Sequence, residues 1–264
     1  MTRVIRAELR RLLRRRPLAG IGAGVMLFAL VAAISVFATA GDSAPGLQSR
    51  RGGAAVTDLA AAGGGTEAFA VGSSFAGFLV FVTVIAVVAT EFSAGTFRTL
   101  ALRQPGRLRL MAGKLAGLWL VVAGVTAAAA AVTFAVSWLV APSQDISTVA
   151  WFTDESLAAA GRDYVTALAG FTGWLVFGAT LAVVFRSAPL ALAVGFAWAG
   201  PFENIVAQSW STGYRWFPGQ VLASLIRGGT VELGFGRAAL TAAAYVAIAA
   251  TALLTLISRK DVTA

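Results

Sequence analysis

Residues 91–114 read EFSAGTFRTLALRQPGRLRLMAGK, with five basic side chains against one acid. On either side lie runs, 69–90 and 115–140, that contain no charge at all. A polar, basic connection between two such runs has the pattern of a loop joining membrane spans. A span needs about 20 consecutive apolar residues to cross roughly 30 Å of hydrocarbon. Six windows fit that requirement: 18–40, 69–90, 115–140, 164–185, 189–208 and 238–258. The fifth is the poorest, because it carries Pro201 and Glu203. The runs are continuous and rich in Ala, Leu, Val and Gly, whereas barrel strands alternate over about 10 residues, so the spans are expected to be helices. The predicted fold class is an all-α integral membrane protein with six transmembrane helices in one domain, 1–264.

Composition agrees. Charged residues make up 12% and hydrophobic residues 58% of the 264, where a soluble domain carries about 25% charge. There is no Cys and no His. Disulfides, thiolate nucleophiles and His-dependent catalysis or metal binding are therefore excluded. The net charge of +9 is read as membrane topology, not as nucleic-acid binding. The first apolar run is too long for the 7–15-residue core of a signal peptide and is expected to remain as a helix.

The segment before it, MTRVIRAELRRLLRRRP, has seven arginines and one acid. At 100° per residue, Ile5, Leu9, Leu12 and Leu13 share one face and the arginines cover the other. That is the pattern of an interfacial amphipathic helix, 2–16, lying on an anionic leaflet and broken by Pro17. Residues 41–68 form a Gly/Ala-rich segment that Gly63-Gly64-Gly65 is expected to make flexible. Residues 141–163 carry four acids, with Trp151 and Phe152 as expected interfacial aromatics. Alternate connections hold 15 basic residues on one side and 6 on the other. The positive-inside rule then puts both termini and the 91–114 connection in the cytoplasm.

Within that connection, 91–103 contains no proline and one glycine, so a helix is expected there, ended by Pro105-Gly106. It would have two faces and suit a soluble partner. Glu91, Gly95-Thr96, Arg98, Leu100, Pro105, Arg109 and Gly113-Lys114-Leu115 together resemble the cytoplasmic loop of type 2 ABC exporter permeases, the bacterial transmembrane subunits of ATP-binding cassette transporters. The resemblance implies an N-terminal elbow helix, a coupling helix between spans 2 and 3 that contacts the ATPase, and a re-entrant outer segment within 209–236. It implies that Glu91, Gly95, Thr96, Phe97, Arg98, Leu100 and Arg103 serve ATPase coupling. It also implies two copies of a separate ATP-binding subunit and a second permease copy or a homologous one. The long Gly-rich segment between the first two spans departs from the family pattern.

The chain is not expected to be an enzyme. A phosphate loop needs a glycine, four residues, then Gly-Lys-Ser/Thr. Gly113-Lys114 is followed by Leu115, and Leu108 stands where the first glycine belongs. ATP and magnesium would thus sit on the partner ATPase. Glu203, Asn204 and Gln208 are candidate translocation-pathway residues, since a charge at mid-bilayer costs about 2.5–3.5 kcal/mol and faces protein or water. The alternative for Glu203 is the headgroup zone, paired to Arg215. Hydrophobic drugs, antibiotics, peptides and lipids are the expected cargo. A non-transporting membrane sensor or assembly component that docks a cytoplasmic partner is the other reading.

Overall fold

The computed structural model describes residues 5–6, 9–10, 15–40, 56–96, 106–210 and 212–259. The described residues are helical, joined by turns, with one isolated bridge between Gly229 and Gly234. In chain order they form α1 (Arg15–Ala38), α2 (Val56–Ala60), α3 (Gly64–Ser93), α4 (Arg107–Val140), α5 (Asp154–Phe185), α6 (Ala188–Ala197), α7 (Glu203–Ser209), α8 (Pro218–Ile226) and α9 (Phe235–Arg259). Short 3-10 turns follow α4 and α7, and a π-helical turn, Trp198–Phe202, joins α6 to α7. Six of these helices, α6 and α7 counting as one, are long and apolar enough to cross a membrane. The chain is a multi-pass membrane protein, as the apolar windows predict.

α5 is the central helix. Half of its most apolar window is buried, against a third or less for every other span. It packs on α3, α8 and α9, while α1 lies outside, against α3 and α4. The reason is its small residues. A side chain on Gly170 would run into Ile226 of α8, on Gly173 into Leu222, and on Gly178 into the Phe81 carbonyl of α3. Small residues let helix backbones approach closely where lipid offers no hydrophobic drive to bring them together.

The structure corrects three expectations at the ends of the spans. Gly63-Gly64-Gly65 is no flexible linker: α3 starts at Gly64, where a side chain would overlap the Leu59 carbonyl, and Gly65 lies under the rings of Phe134 and Trp151. Trp151 is buried, not interfacial, and its indole donates to the Leu59 carbonyl at 2.8 Å. It joins Phe37, Leu59, Ala68 and Ile146 in a second small core that closes this end of the bundle. Phe152 is the exposed aromatic. Third, α1 starts at Arg15, so Pro17 stands in its first turn rather than ahead of it.

α3, α4 and α5 also outrun their apolar windows. α4 has 34 residues, about 51 Å at 1.5 Å per residue. Its first two turns, with Arg107 and Arg109, precede the run that begins at residue 115. Charge had marked these turns as loop, but a helix continues wherever its backbone is free to do so.

Candidate functional site

Two places combine buried charge with a helix end. The first lies where α3 leaves the bundle and α4 enters it. Glu91, in the last turn of α3, and Lys114, two turns into α4, form an ion pair with Nζ to Oε1 at 2.5 Å. Both side chains are more than nine-tenths buried, at 8% and 6% exposure. An ion pair taken out of water is costly to form and costlier to break, because removing one partner strands the other charge. Glu91 therefore does not offer its carboxylate to a soluble partner. It fixes the base of the connection to two spans at once.

The expected continuous helix over 91–103 does not form as such. α3 ends at Ser93, and Gly95 takes the left-handed conformation, φ 70°. The amides of Ala94 and Gly95 close back on the carbonyls of Thr90 and Phe92 at 2.9 and 3.2 Å. Thr96 resumes helical geometry, its hydroxyl donating to the Glu91 carbonyl at 3.1 Å. Gly95 thus turns the chain rather than sitting inside a helix. Phe97, Arg98, Leu100 and Arg103 lie outside the described residues. Gly95→Ala should cost about 1–2 kcal/mol, the penalty of left-handed backbone for a residue with a Cβ, while Gly95→Asn should cost less. Thermal unfolding of the two variants in detergent measures this, and equal midpoints for Ala, Asn and wild type would remove the assignment.

The second place is the short helix α8. It is held between α5, α9 and α3, with Val221, Leu222, Ser224, Leu225 and Ile226 buried. Pro218 at its first position suits a helix start, where an amide would have no partner. Thr166 of α5 donates to the Ile226 carbonyl at 3.0 Å and so caps the far end. Beyond it, Gly228 and Gly229 turn at positive φ, and Ser224 donates to the Leu233 carbonyl at 2.8 Å. Arg227 donates to Ser74 of α3 at 3.1 Å. Burial draws the Arg227 guanidinium below its ordinary value, and the carboxylates of Glu67 and Glu232 push it back up.

Glu203 closes this assembly. It is 1% exposed. One oxygen accepts from the Trp198 indole at 2.7 Å. The other lies against the first turn of α8, in contact distance of any side chain placed on Gly219. The amides of Gly219 and Gln220 face that oxygen, although neither reaches full hydrogen-bond geometry. A carboxylate here meets the positive end of the helix dipole. The π turn at Trp198–Phe202 makes this possible. Pro201 sits inside it, and the widened turn re-aims the chain so that Glu203 points inward and Trp198 stacks on Phe202, 4.8 Å between centroids.

Glu203 is therefore not paired to Arg215, and it does not face open space. Arg215 instead donates to the Glu232 carbonyl. Asn204 is exposed, bonded to the Gly200 carbonyl and to Gln220 of α8 at 2.6 and 3.2 Å. Gln208 lies in α7, its side chain outside the described residues. Glu203→Ala should cost about 1–3 kcal/mol by orphaning the Trp198 indole and removing the negative charge from the first turn of α8. Glu203→Gln should cost less, since its amide oxygen can still accept from Trp198. Gly219→Ala should reproduce the loss by displacing the carboxylate. Unfolding midpoints unchanged in Glu203→Ala would mean that the contact holds nothing.

Of the N-terminal residues, Ile5 and Leu9 are helical and half-buried while Arg6 and Arg10 are exposed, the two-faced arrangement expected of residues 2–16. Leu12 and Leu13 lie outside the described residues. The residues missed by sequence reasoning are Lys114 as the partner of Glu91, Trp198 and Gly219 around Glu203, and the Gly170/Gly173 pair. Only the last has a sequence signal, two glycines one helical turn apart in an apolar run. No protein-family model matches the chain, and no curated protein matches it either.

Proposed function

We propose that the chain is the membrane subunit of an ATP-binding cassette exporter, forming the translocation pathway with a second membrane subunit and driven by two copies of a separate ATPase. The observation that carries this reading is the buried Glu91–Lys114 pair. A connection tied by such a pair to two spans cannot shift without moving them. Force applied by a docked partner to residues 91–114 would then reach α3 and α4 directly, and α5 through its packing on α3. The six spans and the motif within 91–114 support the same reading. So does α8, a helix of 9 residues, too short to cross and fitted as a re-entrant element against the spans.

In this reading the chain lies in a bacterial plasma membrane with both ends in the cytoplasm, and the segment 2–16 is the elbow helix. ATP and magnesium belong to the partner, and no catalytic group is needed here. The cargo is a hydrophobic or amphipathic compound. Co-purification from native membranes tests the proposal: an ATPase should be recovered with the chain, and vesicles bearing both should show ATP-driven efflux. Recovery of a non-ATPase partner and no efflux would favour a membrane sensor or assembly component in its place.

A further inference from the structure

Glu203 brings a carboxylate into a span with no basic side chain to balance it. Among the described residues, the groups that act on it are the Trp198 indole and the first amides of α8. The end of a helix dipole supplies about half a unit of positive charge, so a net negative charge remains. At low dielectric that charge is poorly screened and reaches beyond its own atoms. The residue is 1% exposed, so nothing entering from the bilayer touches the carboxylate itself.

What the bilayer meets instead is Trp198. Its indole donates to Glu203 at 2.7 Å, and the residue is 48% exposed. A carboxylate on the indole N–H polarises the ring and adds electron density to its face, the part that attracts cations. Trp198 stacks on Phe202, 4.8 Å between centroids. Phe202 meets Phe217 at 6.3 Å, and Phe217 meets Trp210 at 5.8 Å, both edge to face. Phe202 and Trp210 are exposed as well. The four rings form an unbroken line from the end of α6 to the start of α8.

Depth sets this line apart from an interfacial belt, whose aromatics sit at headgroup level. Trp198 follows the 10 residues of α6. It therefore stands about 15 Å along the span, half of the roughly 30 Å of hydrocarbon. A headgroup held at the membrane surface does not reach it. A cation soluble in hydrocarbon does, and there the Glu203 charge offsets part of the cost of its burial.

We propose that this line of rings binds lipophilic organic cations, an ammonium or phosphonium centre within an apolar body, seated on Trp198 and Phe202 and drawn by the charge of Glu203 behind them. The site lies within one chain and needs neither ATP nor a second subunit. It can therefore fail while the exporter reading stands, or hold while that reading fails.

The test uses the full chain in phosphatidylethanolamine nanodiscs. Tetraphenylphosphonium is measured against two isosteres, neutral tetraphenylsilane and the tetraphenylborate anion, each corrected for uptake by empty discs. The cation should bind saturably, the silane about ten-fold more weakly, the worth of a desolvated cation–π contact, and the anion should not compete. A photoreactive tetraphenylphosphonium should label peptides covering 198–217. It should spare Trp138, which is as exposed as Trp198 and lies beside Phe152, but has no carboxylate on its indole among the described residues. Trp198→Leu and Glu203→Gln should each bring the cation to within about two-fold of the silane. Damage to the fold would lower both ligands together and leave that ratio unmoved. Equal binding of the three compounds, uptake that does not saturate, a ratio unchanged by both variants, or equal labelling at Trp138 overturns the proposal. So does markedly weaker binding in phosphatidylcholine discs, since the occupant would then be a lipid headgroup. If neither variant folds, the three compounds on the wild-type chain decide alone.

Discussion

Lys114→Met should destabilise the protein by about 3–5 kcal/mol, the loss seen when one partner of a buried ion pair is removed. The size follows from burial. Glu91 would keep its charge with its side chain 8% exposed and its partner at 2.5 Å gone. In a chain of this length the shift in unfolding midpoint would be on the order of 10 °C. Glu91→Ala should behave alike, because it removes the carboxylate that the buried Lys114 ammonium meets. The informative variant is the double one. Glu91→Leu with Lys114→Met replaces both charges by apolar groups of similar shape and should recover most of the stability. Thermal unfolding of the two single variants and the double variant checks the cycle, and losses that simply add would mean the pair is not coupled. If the refolded double variant also drives efflux like wild type, the pair is a staple and transmits nothing specific.

Gly170→Leu should expel α8. The new side chain would occupy the place of Ile226 and approach the Leu222 carbonyl at the same point. Overpacking usually costs about 1–3 kcal/mol, and here the obstacle includes backbone, so the upper end is expected. Loss of α8 would also break the Thr166 bond to the Ile226 carbonyl and uncover the second Glu203 oxygen. Because the chain has no cysteine, the result can be read directly. Ser224→Cys, 4% exposed in α8, should resist maleimide in the parent and react in the Gly170→Leu background. Gly170→Ala with Ile226→Ala should restore protection, since the methyl added is matched by the branch removed. Cysteine equally protected in all three would show that α8 does not depend on this contact.

Gly170 and Gly173 illustrate what a sequence can and cannot say about packing. Their spacing marks a flat stripe on α5, yet in a chain with 29 glycines it does not say what lies on the stripe. α8 lies there, nearly fifty residues later in the chain. Glu91 illustrates the same limit for charge. As the lone acid in a basic stretch it looked like a group presented to a partner. Its partner is Lys114, 23 residues on, where the sequence offers only a basic residue at the edge of a span. Glu203 carried the right alarm, a carboxylate in an apolar run. Its solution was hidden, because the π turn at Pro201 changes where the side chain points and the groups it meets belong to α8.

What the sequence determined by itself is the number, type and approximate position of the spans. Hydrocarbon offers no hydrogen bonds, so each crossing segment must satisfy its own backbone and be apolar along its own length. That is a local requirement, legible in twenty consecutive residues. Only the tertiary structure decided which charges are buried, what they face, and that α8 rests in the grooves of α5. Those depend on how close two helices come, and closeness is fixed by pairs of side chains far apart in the chain. Residues 91–114 show both halves. Composition marked them as the connection between two spans, and packing turned their first and last residues into one buried pair.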